Sequence, residues 1–186
     1  DPVGHQEDRA QEDHRAFEGA HARDRIARVR ALRAGLDREA QEGKADGTGE
    51  WFKVEQSRIN AFADATLDHQ FIHVDPEKSA QLSPFKVTVA HGYLTLSLIP
   101  YLQAAIPLTT PKAYEGVTMG VNYGLDKVRF PSPVKVNSRV RAQRELITAE
   151  LVNPSTIQLK QKITVEIEGE SKPACVAETL SRLYYS

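Results

Sequence analysis

The spacing of hydrophobic residues changes character twice along this chain. In the first part Ile26, Val29, Leu32 and Leu36, with Ala22 one turn earlier, recur at three- and four-residue steps. That spacing predicts a helix over 10–42 with one narrow apolar stripe. Its other faces carry Arg23, Arg25, Arg28, Arg30, Arg33 and Arg38, and Asp24 stands four residues before Arg28, a helical ion-pair spacing. A solvated charged face accounts for this pattern. A docking helix for a partner or a second subunit is the alternative, because so thin a stripe cannot build a core alone. Residues 43–49 contain three glycines and read as a flexible linker. The chain thus divides into a charged, helical extension with its linker over 1–50 and a folded domain over 51–186.

After the linker the pattern tightens. The short apolar segment Trp51-Phe52-Lys53-Val54 precedes Ile59, Phe62, Ala63 and Thr66 at helix spacing, predicting a helix over 57–67 with Ser57 as its N-cap. Asp75-Pro76-Glu77 has the form of a cap followed by proline at the first helical position, so a second short helix runs to Leu82, with loop between the two. From His91 to Ile106 nearly every face is apolar, which predicts a helix wrapped by other structure and kinked or stopped at Pro100.

The remainder alternates at period two. Ile157, Leu159, Ile163, Val165 and Ile167 lie among Gln158, Lys160, Lys162, Thr164, Glu166 and Glu168, the mark of a half-buried strand. Val117, Met119, Val121, Tyr123 and Leu125 alternate likewise, 139–152 is moderately patterned, and 174–185 closes the chain. Helices followed by strands with short connections predict an α+β domain, an antiparallel sheet packed on the buried helix.

Composition narrows the function. Across 186 residues, 24 basic side chains balance 25 acidic ones, so the basic excess that would neutralise a run of phosphates is missing. Nucleic acid and anionic membrane surfaces are therefore not expected partners. Residues 1–50 are the acidic part, with 9 Lys and Arg against 12 Asp and Glu. No apolar run approaches the ~18 residues of a membrane span. Cys175 is the one cysteine, which fits a reducing compartment and a cytoplasmic location. Asp1 opens the sequence without a methionine, leaving room for a removed leader.

Two segments carry candidate chemistry. In Asp68-His69-Gln70-Phe71-Ile72-His73 a carboxylate and an imidazole are five positions apart, about 140° apart on a continuous helix. They converge if the helix ends near Asp68 and the chain turns, and could then hold one water between them. Spacing alone fits a surface hydrogen bond better. His69 reads as a surface residue. His69, His73, His91 and the nearby aspartates have no i,i+3 or i,i+4 pairing on a predicted helix, so no metal site is expected. The second segment, Val89-Ala90-His91-Gly92-Tyr93, opens the buried helix. Free N–H groups there can face a developing oxyanion, and Gly92 admits a close carbonyl; equally, Gly92 can serve tight packing against a strand.

Together these segments carry a resemblance. The stretch from Ile59 to Pro100, with Phe62-Ala63, Asp68 and His73, then Val89-Ala90-His91-Gly92-Tyr93-Leu94-Thr95-Leu96-Ser97-Leu98, resembles the MaoC-like dehydratases, (R)-specific enoyl-CoA hydratases of the hot-dog fold. Residues 120–134, which include Asn122-Tyr123-Gly124-Leu125-Asp126 and Phe130-Pro131, resemble the branch that includes nodulation protein N. The resemblance covers about 51–186. It implies a hot-dog sheet around a central helix, with Asp68 and His73 as catalytic residues. It also implies that the Gly92 N–H receives a thioester carbonyl, and that Ser97, Gln70 and His91 line the substrate. The family's Asp-x-Asn-Pro-x-His motif departs here in Gln70 for Asn and Phe71 for Pro.

The function implied is reversible hydration of trans-2-enoyl-CoA to (R)-3-hydroxyacyl-CoA by a homodimer, with no metal and no cofactor beyond the coenzyme A of the substrate. A thioesterase of the same fold and a non-catalytic acyl-CoA-binding or partner-docking protein are the alternatives.

Overall fold

The computed structural model describes residues 45–186 continuously and, before them, the helical residues 29–36 with Gly19, Arg23, Asp24, Ile26, Ala27 and Ala40. The rest of the expected 10–42 helix lies outside the described residues. Residues 29–36 are called α1. The sheet strands are β1 (Ala45–Thr48), β2 (Phe52–Lys53), β3 (Val117–Arg129), β4 (Arg139–Asn153), β5 (Thr156–Ile167) and β6 (Cys175–Tyr185). The helices are α2 (Gln56–Thr66), α3 (Phe71–Val74), α4 (Pro76–Leu82), α5 (Gly92–Ser97) and α6 (Ile99–Ala104), followed by a 3₁₀ turn at Pro111–Tyr114.

The strands form one antiparallel sheet in the order β1-β4-β5-β6-β3, with β2 also pairing with β4. The expected strand alternation holds best in β5, where Ile163 and Val165 are completely enclosed. Leu94 of α5, Leu98 between the helices, and Ile99 and Leu102 of α6 pack on this sheet with Val140, Ala142, Ile163 and Val165, making the α+β hot-dog arrangement. The central helix breaks at Leu98, immediately before Ile99 and Pro100, as a proline within a helical run requires. It is not enclosed all round, because Tyr93 is 70% and Tyr101 63% exposed. The sheet covers one face only.

Three sequence expectations change. The stripe on α1 packs on the sheet of its own chain, Val29 and Leu36 being buried with Leu146, Ala149, Ile157, Leu159 and Leu183, while Arg23 and Arg30 keep the expected solvated face. At ~3.3 Å per residue the 15-residue β4 outruns the short helices α5 and α6, and α1 covers the apolar sheet left beyond them. The expected glycine-rich linker is instead strand β1, paired with β4 from Ala45↔Glu145 to Thr48↔Gln143. Gly49, just after it, serves close approach: a Cβ there would lie 2.9 Å from the Leu102 carbonyl oxygen. Finally, the alternating apolar residues of β3 are not core, since Met119, Tyr123 and Leu125 are about half exposed. β3 is the edge of the sheet, hydrogen-bonded on one side only.

Candidate active site

The polypeptide changes direction where the candidate chemistry lies. α2 begins after Glu55, and Ser57 sits inside its first turn rather than capping it. It ends at Leu67 in the left-handed region, φ 62°, a conformation that commonly closes helices. Asp68 follows at once. The expected loop contains a single turn of helix, α3, which four residues cannot announce by periodicity. α4 has the expected cap, with the Asp75 side chain accepting from the Lys78 N–H at 2.9 Å.

His73 is buried on α3. Its Nδ1 is 2.7 Å from the main-chain oxygen of Val89. A carbonyl oxygen only accepts, so Nδ1 carries the proton and Nε2 is left with its lone pair. Burial, the largest influence, lowers the His73 pKa below its ordinary value; the Val89 hydrogen bond and Asp68 oppose this, and His91 adds to it. The imidazole is thereby held as a base.

His91, Asp68 and His73 converge. A carboxylate oxygen of Asp68 and one ring nitrogen each from His73 and His91 all lie within 4.8 Å of one another, although no helical spacing in the sequence unites them. His91 lies flat on His73, with ring centroids 3.7 Å apart and 24° between planes. Its Nε2 is 2.9 Å from the Asp68 main-chain oxygen, so that nitrogen is a protonated donor and not a ready metal ligand. As built, the trio is a hydrogen-bonding cluster open on the Asp68 side, where the carboxylate is 57% exposed.

The remaining candidates are more scattered. His69 is at the surface, as expected, paired with Asp64 at 2.9 Å. Gln70 is exposed and caps α3 without a side-chain hydrogen bond. Gly92 opens α5, and a Cβ there would meet the Phe130 ring at 3.1 Å. Gly92 and Phe130 share the wall of a cavity of about 270 Å³. Ser97 lines a different one, about 400 Å³, between the central helix and the β3–β6 edge, with Leu96, Asn122, Tyr123 and Leu180. His91, expected beside the substrate, is enclosed behind the dyad.

Two contributors escaped sequence reading. Gln56 donates to the His73 main-chain oxygen at 2.7 Å and to Asn60 at 2.8 Å, while accepting from Thr88. It ties α2 to α3 and to the segment that receives the His73 ring. A polar side chain on the buried side of a helix start was its one signal. Phe130, just beyond β3, could be suspected only from the need of Gly92 for space. Cys175 is no rival nucleophile, since it is buried and burial pushes its thiol up to about 11.

Known proteins resemble this chain in both sequence and fold. The model of the MaoC like domain matches residues 38–168. The chain is 46% identical over 154 residues to 3-hydroxyacyl-thioester dehydratase Z of Mycobacterium tuberculosis, covering 83% of this chain and 98% of that protein. It is 47% identical over 143 residues to nodulation protein N of Rhizobium leguminosarum bv. viciae, covering 77% and 86%. Among solved structures, the MaoC-like dehydratase from Rhodospirillum rubrum superposes with a TM-score of 0.60 at 18% identity, covering 77% of this chain and 92% of that one. An (R)-hydratase from A. caviae gives 0.55 at 21% identity, covering 73% and 95%. The matched residues run through the Asp68–His73 turn and the Gly92 helix start, and by them this chain belongs to the MaoC-like dehydratases.

Proposed function

We propose that this protein is a hydro-lyase that adds water reversibly to trans-2-enoyl-CoA, giving (R)-3-hydroxyacyl-CoA. The observation that carries the reading is the convergence of the Asp68 carboxylate with a buried imidazole whose Nδ1 is tied to Val89 and whose Nε2 can accept a proton. Two polar groups under 5 Å apart hold one water between them, each at hydrogen-bonding distance. In the addition, the water oxygen bonds to C3 of the enoyl group and gives one proton to the dyad. The C2–C3 π electrons move toward the thioester carbonyl, whose oxygen takes the developing charge against the Gly92 N–H. A proton from the dyad then forms the C2–H bond, so the components of water are added and the enzyme is restored. Nothing in this sequence calls on a metal or a redox group.

Incubation with crotonyl-CoA, following enoyl absorbance and free thiol together, tests the reading. Loss of absorbance without thiol is the expected result. Thiol release would assign a thioesterase, and neither change would leave an acyl-CoA-binding protein.

A further inference from the structure

His91 stands beside the dyad and is only 3% exposed. Its ring is held by α2 and by the turn that follows it. One face stacks on His73, and Phe62 of α2 approaches at 5.1 Å between centroids. Nε2 donates to the main-chain oxygen of Asp68 at 2.9 Å and lies 3.9 Å from the carboxylate oxygen Oδ2 of the same residue. Nδ1 is buried and has no hydrogen-bond partner among the described residues. A proton there would be an unsatisfied buried donor, so the surroundings select the Nε2–H tautomer.

Asp68 needs such an anchor. It follows the left-handed Leu67 and its side chain is largely in solvent, so its position is set through the main chain. His91 comes from the far side of the molecule's turn, 23 residues on, and grips that main chain. We propose that His91 is a positioning residue for the hydration described above. By donating to the Asp68 carbonyl while lying flat against His73, it fixes the separation of the two catalytic groups across which one water is held. The inference rests on the hydratase reading for its kinetic consequence, while its structural part can be tested separately.

Two variants separate the two contacts. His91→Phe keeps a flat ring against His73 and loses the donor; His91→Asn keeps a donor and loses the ring. With crotonyl-CoA, H91F should lower kcat by ~10- to 100-fold with little change in KM, as expected when reacting groups are misplaced by a fraction of an ångström. H91N should recover part of that loss. The titratable groups facing His73 are Asp68 and His91, so in H91F the His73 ring, titrated by NMR of labelled histidine, should protonate at higher pH than in the wild type. A rise in KM alone would place His91 against the substrate and overturn the proposal. So would unchanged kcat, or equal losses in both variants with an unmoved His73 titration. If the wild type itself fails to hydrate crotonyl-CoA, the hydratase reading falls. The titration still decides in that case, an unmoved His73 overturning the positioning role and a moved one supporting it.

Discussion

Asp68 and His73, the proposed dyad, differ in their surroundings, the carboxylate standing in solvent and the imidazole buried with one nitrogen committed to Val89. Groups that transfer protons typically contribute ~10²- to 10⁴-fold, and paired ones lose activity non-additively. Asp68→Asn and His73→Ala should therefore each remove most turnover of crotonyl-CoA, and the double variant little more, with near-wild-type melting for D68N because that side chain is exposed. A near-wild-type rate in either would sink the dyad. The pH dependence follows from His73. Its folded pKa is lowered by burial, so the base stays available below ~6.5, the ordinary histidine value. The acid limb of kcat/KM should lie below that pH. For stability the sign is the same: above ~6.5 the contribution is constant, and as pH falls the unfolded chain takes up the proton first, so stability declines until the folded ring protonates. Melting temperature followed from pH 8 to 5 measures it, set beside a His73→Gln variant that lacks the titrating group.

At the level of elements, sequence pattern served best where one face of a strand is buried along its length or capping is chemical. β5 was legible because every second residue enters the core, and α4 because Asp75 and Pro76 announce its start. β3 looked like the same kind of strand, yet as an edge it leaves Met119, Val121, Tyr123 and Leu125 outside the core. α3 is too short for any period. The Asp68–His73 pair was visible as residue types, but its convergence depends on the left-handed turn at Leu67 and on His91 from a distant segment, neither of which spacing encodes. The family motif, not the arithmetic of helical angles, pointed to it. The charge pattern of the N-terminal helix was real, but it hid the fact that the sheet is longer than its central helix. Leu36 is completely buried, and truncating such a leucine costs ~2–5 kcal/mol. Leu36→Ala should accordingly lower the melting temperature clearly while leaving the rate on crotonyl-CoA nearly intact, since no catalytic candidate lies on α1. Paired unfolding and activity measurements check both halves of that expectation.

For the whole molecule, the exposed edge is the feature that demands explanation. Met119, Val121, Tyr123 and Leu125 on β3 and Tyr93 and Tyr101 on the central helix are all substantially exposed, and an unpaired apolar edge strand invites pairing. A second copy placed edge to edge through β3 would extend both sheets and close the cavity beside Ser97. Light scattering is expected to give twice the chain mass of 20.7 kDa, and charges introduced together at Val121 and Tyr123 should shift the population toward monomer. A single species of one chain mass with full activity would contradict this assembly. Among the described residues no helix is long and apolar enough to cross a membrane.

The packing of α1 also has a consequence in time. Arg33 donates to the main-chain oxygen of Ala149 at 3.1 Å across 116 positions, and Leu183 and Tyr185 belong to the same cluster as Val29 and Leu36. A ribosome adding ~5–20 residues per second makes α1 many seconds before the strands that receive it. During that interval its apolar stripe has no native surface to rest on, and a helix draws most of its stability from such packing. Synthesis therefore passes through a stage in which α1 waits for the strands that complete its packing.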